Sequence, residues 1–263
     1  MFKFCSLFSG SSGNCLFIQT DKTKILVDCG ESAKKIVNSL LEININIQDI
    51  NAILVTHEHI DHVKSLGTLS KKYNIPVYTN IETLNAMPEQ ASKINSDYIH
   101  LFNFDKDFSI GDLKIHPFSI PHDAANPCAF NIYKNEQKIS IATDIGHITP
   151  EILKNLEKST FILLESNYDS NTLKCSDYPY HLKERISGPY GHLSNDTAGI
   201  TISKLINSGL KSVMLGHLSK ENNFPELAYK TVMDEIISNN YTENSIKLNI
   251  ATRFNRSPII DII

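Results

Sequence analysis

The chain predicts an α/β domain in which two β-sheets are covered on their outer faces by helices. Three observations carry this prediction. Short apolar strands joined by polar turns open the chain and recur as a block near its middle. Strand and helix alternate before and after that block. No linker, low-complexity tract or long internal repeat divides residues 1–263, so both sheets are assigned to one domain.

In order, Phe2–Phe8, Cys15–Thr20 and Thr23–Asp28 read as strands, joined by the loop Ser9-Gly10-Ser11-Ser12-Gly13-Asn14 and an Asp21-Lys22 turn. Ile36, Leu40 and Leu41 give Ser32–Leu41 helical spacing. Ile53-Leu54-Val55 reads as a buried strand, Val63–Tyr73 as a helix, Pro76–Thr79 as a strand, and Ile81–Ser92 as a helix behind an Asn80 cap. Between Tyr98 and Asp144 the pattern becomes consecutive strands. Phe108–Ile110 turns through Gly111-Asp112 into Leu113–Ser119, and Cys128–Tyr133 turns through Asn135-Glu136 into Ile139–Ala142. Alternation then returns with strand Phe161–Leu164, helix Ser194–Ile206, strand Ser212–Leu215, helix Pro225–Ser238 and strand Ile246–Ile250.

A hydrophobic content of 41% over this length builds a substantial core, so no metal is needed merely to hold the fold together. The five cysteines are scattered without Cys-x-x-Cys spacing, which fits reduced thiols and a cytoplasmic setting. The Ser/Gly loop interrupts the apolar start before it can act as a signal core, and no run approaches the roughly 20 apolar residues of a membrane span. A formal charge of −4 excludes wholesale basicity as a means of holding nucleic acid; any polyanion must be met locally.

The densest chemistry lies at His57-Glu58-His59-Ile60-Asp61-His62, directly after a predicted strand. Four metal-seeking groups in six positions suit divalent cations, which accept imidazole nitrogen and carboxylate oxygen directly. Downstream, His122, Asp144 and His217 each follow a predicted strand. If those strand ends converge, His57, His59 and His122 hold one ion, Asp61, His62 and His217 a second, and Asp144 bridges them. Two ions at the roughly 3.5–4 Å spacing of two-metal hydrolases would share a hydroxide. Taken singly, His122 reads equally well as a solvated loop histidine and His217 as a neighbour of a helix cap.

His-x-His-x-Asp-His followed by isolated His, Asp and His at strand ends resembles the metallo-β-lactamase superfamily, from Asp28 in Leu-Val-Asp-Cys-Gly to His217. The resemblance implies an αββα sandwich with the metals at one edge and assigns Asp28 to orienting a ligating histidine from behind; its bland alternative is a turn residue. Flavin-linked diiron members carry a glutamate where this chain has His59, which favours hydrolysis over redox chemistry, and lactam hydrolases would need an export signal. Thioester hydrolases share the ligand set and stay open. Glu165 and His192 resemble the pair that nuclease members place beside the metals, the carboxylate orienting an imidazolium that protonates the leaving oxygen. The alternative for His192 is a residue just outside a helix capped by Ser194.

The Ser9–Asn14 loop, with Ser11, Ser12 and Asn14 as candidate phosphate contacts, and the segments Tyr180–Lys183, Gly191–Asn195 and Gly216–Asn223 resemble the bacterial YycJ (WalJ, VicX) type of exonuclease. Lys183, Arg185 and Lys220 are the candidate cationic contacts to a nucleic-acid backbone. The expectation is a cytoplasmic two-metal phosphodiesterase acting as a 5′-to-3′ DNA exonuclease, with Asp61, Asp144, Glu165 and His192 catalytic. Zinc suits the ligands best; manganese or iron also fits. The rivals are an RNA-processing nuclease, a hydrolase of a small cyclic phosphodiester or thioester, and a metal-binding regulatory protein without turnover.

Overall fold

The computed structural model describes residues 1–104 and 106–263. Among the described residues fourteen strands form two seven-stranded sheets. The first contains β1 (Phe2–Phe8), β2 (Cys15–Thr20), β3 (Lys24–Val27), β4 (Ala52–Leu54), β5 (Val77–Thr79) and β6 (Ile99–Leu101). The second contains β7 (Phe108–Ile110), β8 (Leu113–Ser119), β9 (Cys128–Lys134), β10 (Gln137–Ala142), β11 (Phe161–Glu165), β12 (Ser212–Gly216) and β13 (Lys247–Ile250). Finally β14 (Ile260–Asp261) returns to the first sheet and pairs with β1, Phe4 facing Ile260. The sheet orders are β14-β1-β2-β3-β4-β5-β6 and β13-β12-β11-β10-β9-β8-β7, each mixing antiparallel hairpins with parallel crossovers.

Period-two alternation along the strands explains the layering. Phe4, Ile25, Val27 and Leu54 of the first sheet meet Phe130, Ile141, Phe161, Leu163 and Met214 of the second in the central core. Cys5, Leu26 and Ile53 point the other way, onto Ile36, Leu40, Leu66 and Leu69 of the outer helices. Ile162, Leu164, Val213 and Leu215 do the same against Ala198, Ile202, Val232 and Ile236. The result is the expected four-layer helix–sheet–sheet–helix sandwich. Among the described residues no helix is long and apolar enough to cross a membrane.

Two of the expected helices are broken, each for a local reason. Val63–Tyr73 becomes a short turn, Ile60–Val63, and a second helix, Leu66–Tyr73. At the break the Ser65 hydroxyl donates to the carbonyls of Cys29 at 3.2 Å and Glu31 at 2.6 Å, tying the metal-seeking loop to the segment after β3. Ile81–Ser92 splits at Met87 (φ −119°, ψ 55°), because the proline that follows disfavours helical backbone in the residue before it. Asn80 caps the first piece as expected, accepting from the Thr83 amide at 2.8 Å.

Candidate metal centre

The hexapeptide leaves β4 and turns into the helix Ile60–Val63, with His59 at its N-cap position. This turn gathers the imidazoles of His57, His59 and His62: the His57 ring lies 4.7 Å from that of His59 and 4.1 Å from that of His62. The loop is clamped from outside. The amides of Cys29 and Asn14 donate to the carbonyls of His62 and Asp61 at 2.7 and 2.8 Å, and Gly30 passes so close that a Cβ there would sit 1.6 Å from the Asp61 oxygen. Only glycine fits that crossing.

The second sheet delivers its residues one strand end at a time. His122 follows β8, and its ring lies 5.1 Å from those of both His57 and His59. Asp144 follows β10 and stands between the two groups. Its Oδ2 is 3.3 Å from His62 Nε2, while Oδ1 is 3.2 Å from His217 Nδ1 and 3.8 Å from His122 Nε2. His217 follows β12, and Asp61 Oδ2 is 3.6 Å from Nε2 of both His62 and His217. The candidate donors of His57, His59 and His122 come within 4.8 Å of one another, as do those of Asp61, His62 and His217. Asp144 joins His57 and His62 on one side and Glu165, His192 and His217 on the other. The structure thus brings together the residues that the sequence grouped into two triads and sets Asp144 beside both groups.

Backbone strain marks the same place. Asp28 (φ 61°), Asp144 (φ 59°) and His217 (φ 55°) all occupy the left-handed region, which non-glycine residues adopt at a cost of roughly 1–3 kcal/mol. Each is held there by bonds from several elements. His217 donates its amide to Ser9 Oγ at 2.8 Å, and its carbonyl accepts from Asn167 Nδ2 at 2.8 Å. The amide after Asp144 donates to Glu165 Oε2 at 2.7 Å. Ser9 and Asn167 were not among the sequence candidates; their only trace was membership of motifs singled out for other residues.

Hydrogen bonds behind the ring of donors fix the tautomers. Asp28 accepts from the Thr56 amide at 2.9 Å, from the Thr56 hydroxyl at 2.8 Å, and pairs through Oδ2 with His62 Nδ1 at 2.8 Å. The histidine that Asp28 orients is therefore His62. His57 Nδ1 meets Thr56 Oγ1 at 3.0 Å, and His122 Nδ1 meets the Gly191 carbonyl at 3.1 Å. Glu165, fully buried, is a hub. Its Oε1 contacts His192 Nδ1 at 2.8 Å and His217 Nδ1 at 2.9 Å, and Oε2 accepts the Leu193 amide at 3.2 Å.

Unspent donors test whether metal ions suit these residues. Buried polar atoms are normally paired. Here His57 Nε2, His122 Nε2, His217 Nε2 and Asp144 Oδ2 are buried without a hydrogen-bond partner, although the opposite nitrogen of each ring is anchored. One nitrogen tied and the other free is how imidazoles are prepared as ligands. The charge balance agrees. Burial opposes ionisation of Asp144, but His217 and His62 outweigh it and hold the carboxyl well below its ordinary value. Burial likewise opposes charge on His217, yet Asp144, Asp61 and Glu165 push that imidazole up to about 10. His62 is raised in the same way by Asp144, Asp28 and Asp61. Burial and then His62 push His57 well down, and burial lowers His122, leaving both neutral as ligation requires. The cluster is acidic enough to draw positive charge, and the set of imidazoles and carboxylates fits two divalent cations.

The remaining candidates divide. Ser11 and Ser12 are exposed on the first loop. Asn14 is buried instead: its Nδ2 lies 3.0 Å from His62 Nε2 and its Oδ1 accepts the Gly10 amide at 2.9 Å, so it braces the loop. Arg185 donates to Asp123 at 2.7 Å, Lys183 to the Lys174 carbonyl at 2.7 Å, and Lys220 lies 3.2 Å from Glu221. Glu58, between two of the histidines, turns to the Ala125 amide at 2.7 Å and steadies the loop beyond His122.

Residues 23–205 match the profile of a family described as the β-lactamase superfamily domain. The chain is 38% identical over 237 residues to exodeoxyribonuclease WalJ of Streptococcus pneumoniae, covering 89% of this chain and 88% of that protein. It is 37% identical over 229 residues to exodeoxyribonuclease YycJ of Bacillus anthracis, covering 87% of each. Among solved structures, the metallo-β-lactamase fold protein YhfI from Bacillus subtilis superimposes with a TM-score of 0.71 at 17% identity, covering 99% of this chain and 100% of YhfI. That likeness speaks for the fold.

Proposed function

The chain belongs to the β-lactamase superfamily, and from that premise we propose that it is a two-metal phosphodiesterase that degrades DNA from its 5′ ends. His57, His59 and His122 would hold one ion, Asp61, His62 and His217 the other, with Asp144 between them. The donor set suits zinc best, with manganese and iron as substitutes. Such ions, when bound, polarise a phosphoryl oxygen and lower the pKa of water.

The observation that carries the nuclease reading is the Glu165–His192 pair. His192 is 22% exposed on its side chain, whereas Glu165 is sealed, so the imidazole faces incoming substrate while its orientation is set from the interior. With Nδ1 committed to Glu165 Oε1, Nε2 is left to carry a proton to the departing oxygen. An alkoxide leaving group needs that proton; a hydrolase working on a better leaving group would not. Glu165 Oε1 also contacts His217 Nδ1, so one carboxylate sets both the proton donor and a ligand. Asp144, between the two groups of imidazoles, and Asp61, beside His62 and His217, would orient the attacking water. The reading takes residues 1–263 as one catalytic domain working in the cytoplasm, and five free thiols support a reducing compartment.

Single- and double-stranded DNA and RNA labelled at the 5′ or at the 3′ end, incubated with Zn²⁺ or Mn²⁺, test the proposal. The expected result is stepwise release of mononucleotides from DNA 5′ ends. Internal cuts alone, or digestion of RNA without DNA, would overturn it.

A further inference from the structure

Beyond the catalytic cluster, the chain after His217 runs along a second feature. Leu218, Ser219, Lys220, Asn223 and Phe224 form one wall of a groove of about 250 Å³, and residues 251–255 form the other. Its lining includes two large aromatic residues left open to solvent, Phe224 at 53% and Phe254 at 64%. Two cations share it. Arg253 lies over the Phe254 ring, 5.9 Å from its centroid, and donates through Nη2 to the Leu218 carbonyl at 2.5 Å. Lys220 is exposed, and its pairing with Glu221 at 3.2 Å is open to water and so readily exchanged.

The groove adjoins the loop that braces the metal centre. Arg253 Nη1 reaches Ser12 Oγ at 3.5 Å, and a Cβ on Gly10 would lie 3.3 Å from the guanidinium carbon. The same loop, through Ser9 Oγ, receives the amide of His217 at 2.8 Å. A chain molecule whose phosphate reached the cluster would therefore find this groove next along its length. Aromatic faces that accept any base, interleaved with cations that accept any phosphate, are how proteins hold unpaired nucleic acid without reading its sequence.

Resting on the phosphodiesterase reading above, we infer that the Phe224–Phe254 groove binds the unpaired strand adjoining the scissile phosphate, its bases on the two rings and its backbone against Arg253 and Lys220.

The test is binding and turnover of Phe224→Ala, Phe254→Ala and the double variant, with Phe224→Trp as the conservative control. Anisotropy with an internally labelled single-stranded oligonucleotide, in a metal-chelated buffer, reads binding apart from catalysis. Each ring removed is expected to weaken strand binding about tenfold, Phe224→Trp to retain it, and loss in digestion to fall on KM rather than kcat. Bis(p-nitrophenyl) phosphate, too small to span groove and cluster, should suffer at least tenfold less than the strand. Equal strand affinity in wild type and double variant overturns the inference, as does an equal loss on the small diester. If the unaltered protein digests no DNA at all, the phosphodiesterase reading has failed instead, and the two failures are told apart.

Discussion

Four candidate ligands leave the first sheet within six consecutive residues, His57 to His62, whereas the second sheet contributes His122, Asp144 and His217 singly, from the ends of β8, β10 and β12. The two halves meet the same chemical requirement by different means. In the contiguous half a local turn aims the rings, and the surrounding loops clamp it. In the dispersed half the register of the parallel strands sets the spacing, with Leu164 beside Leu215 and Glu165 beside Gly216, and left-handed backbone at Asp144 and His217 turns the side chains inward. Loss of a ligand in the first half should therefore stay local. In the second half, a substitution should disturb several groups at once, because Asp144 and Glu165 each touch more than one imidazole.

The sharpest way to break this contrast is to compare Asp144→Ala with His59→Ala. Asp144→Ala should lower metal-dependent turnover by about 10⁴-fold and strip both ions. His59→Ala should abolish useful turnover while metal analysis still finds one ion per chain. Equal metal content in the two variants would remove Asp144 from the bridging position. Next in size is His192→Ala, expected to cost roughly 10²–10⁴-fold on DNA but under about tenfold on p-nitrophenyl esters, whose leaving group needs no proton. A matching loss on both substrates would make His192 structural. Asp28→Asn should weaken metal affinity about 10–100-fold by loosening His62, with turnover restored at higher metal concentration; titration of activity against Mn²⁺ measures it. The smallest effect is expected at Arg185, already paired with Asp123. Arg185→Gln should alter DNA binding by less than about threefold and leave the salt slope nearly unchanged, whereas a phosphate contact would lower that slope by about one.

The same contrast explains what could be read from sequence. The hexapeptide is conspicuous because its ligands are neighbours in the chain. His122, Asp144 and His217 gain meaning only together, since each single residue at a strand end has an ordinary reading. Most strands of both sheets were legible from alternation, and Phe2–Phe8, Cys15–Thr20 and Leu113–Ser119 match to the residue, whereas the short edge strands Ile99–Leu101 and Ile260–Asp261 were not assigned. Less visible were the short helices Pro150–Leu156, Ser170–Cys175 and Tyr180–Ser187, the last of which has no buried residue and so no apolar periodicity. Left-handed backbone at Asp28, Asp144 and His217 was invisible, because no glycine announces it. The hub role of Glu165 was half legible: its partner His192 followed from motif resemblance, but its bond to His217 depends on β11 and β12 lying side by side. Phe224 and Phe254 were overlooked because their juxtaposition requires the tail to fold back beside the loop after His217.

The placement of β14 against β1 has a consequence for how this protein is made. A ribosome releases the hexapeptide early, but His217 emerges only after most of the chain has been synthesised, and the strand that completes the first sheet comes later still. A nascent chain can thus present half a binding site to cellular metal without being able to enclose two ions. On the two-metal proposal, a chain that stopped short of His217 would lack a ligand of the second triad and could not hold both ions.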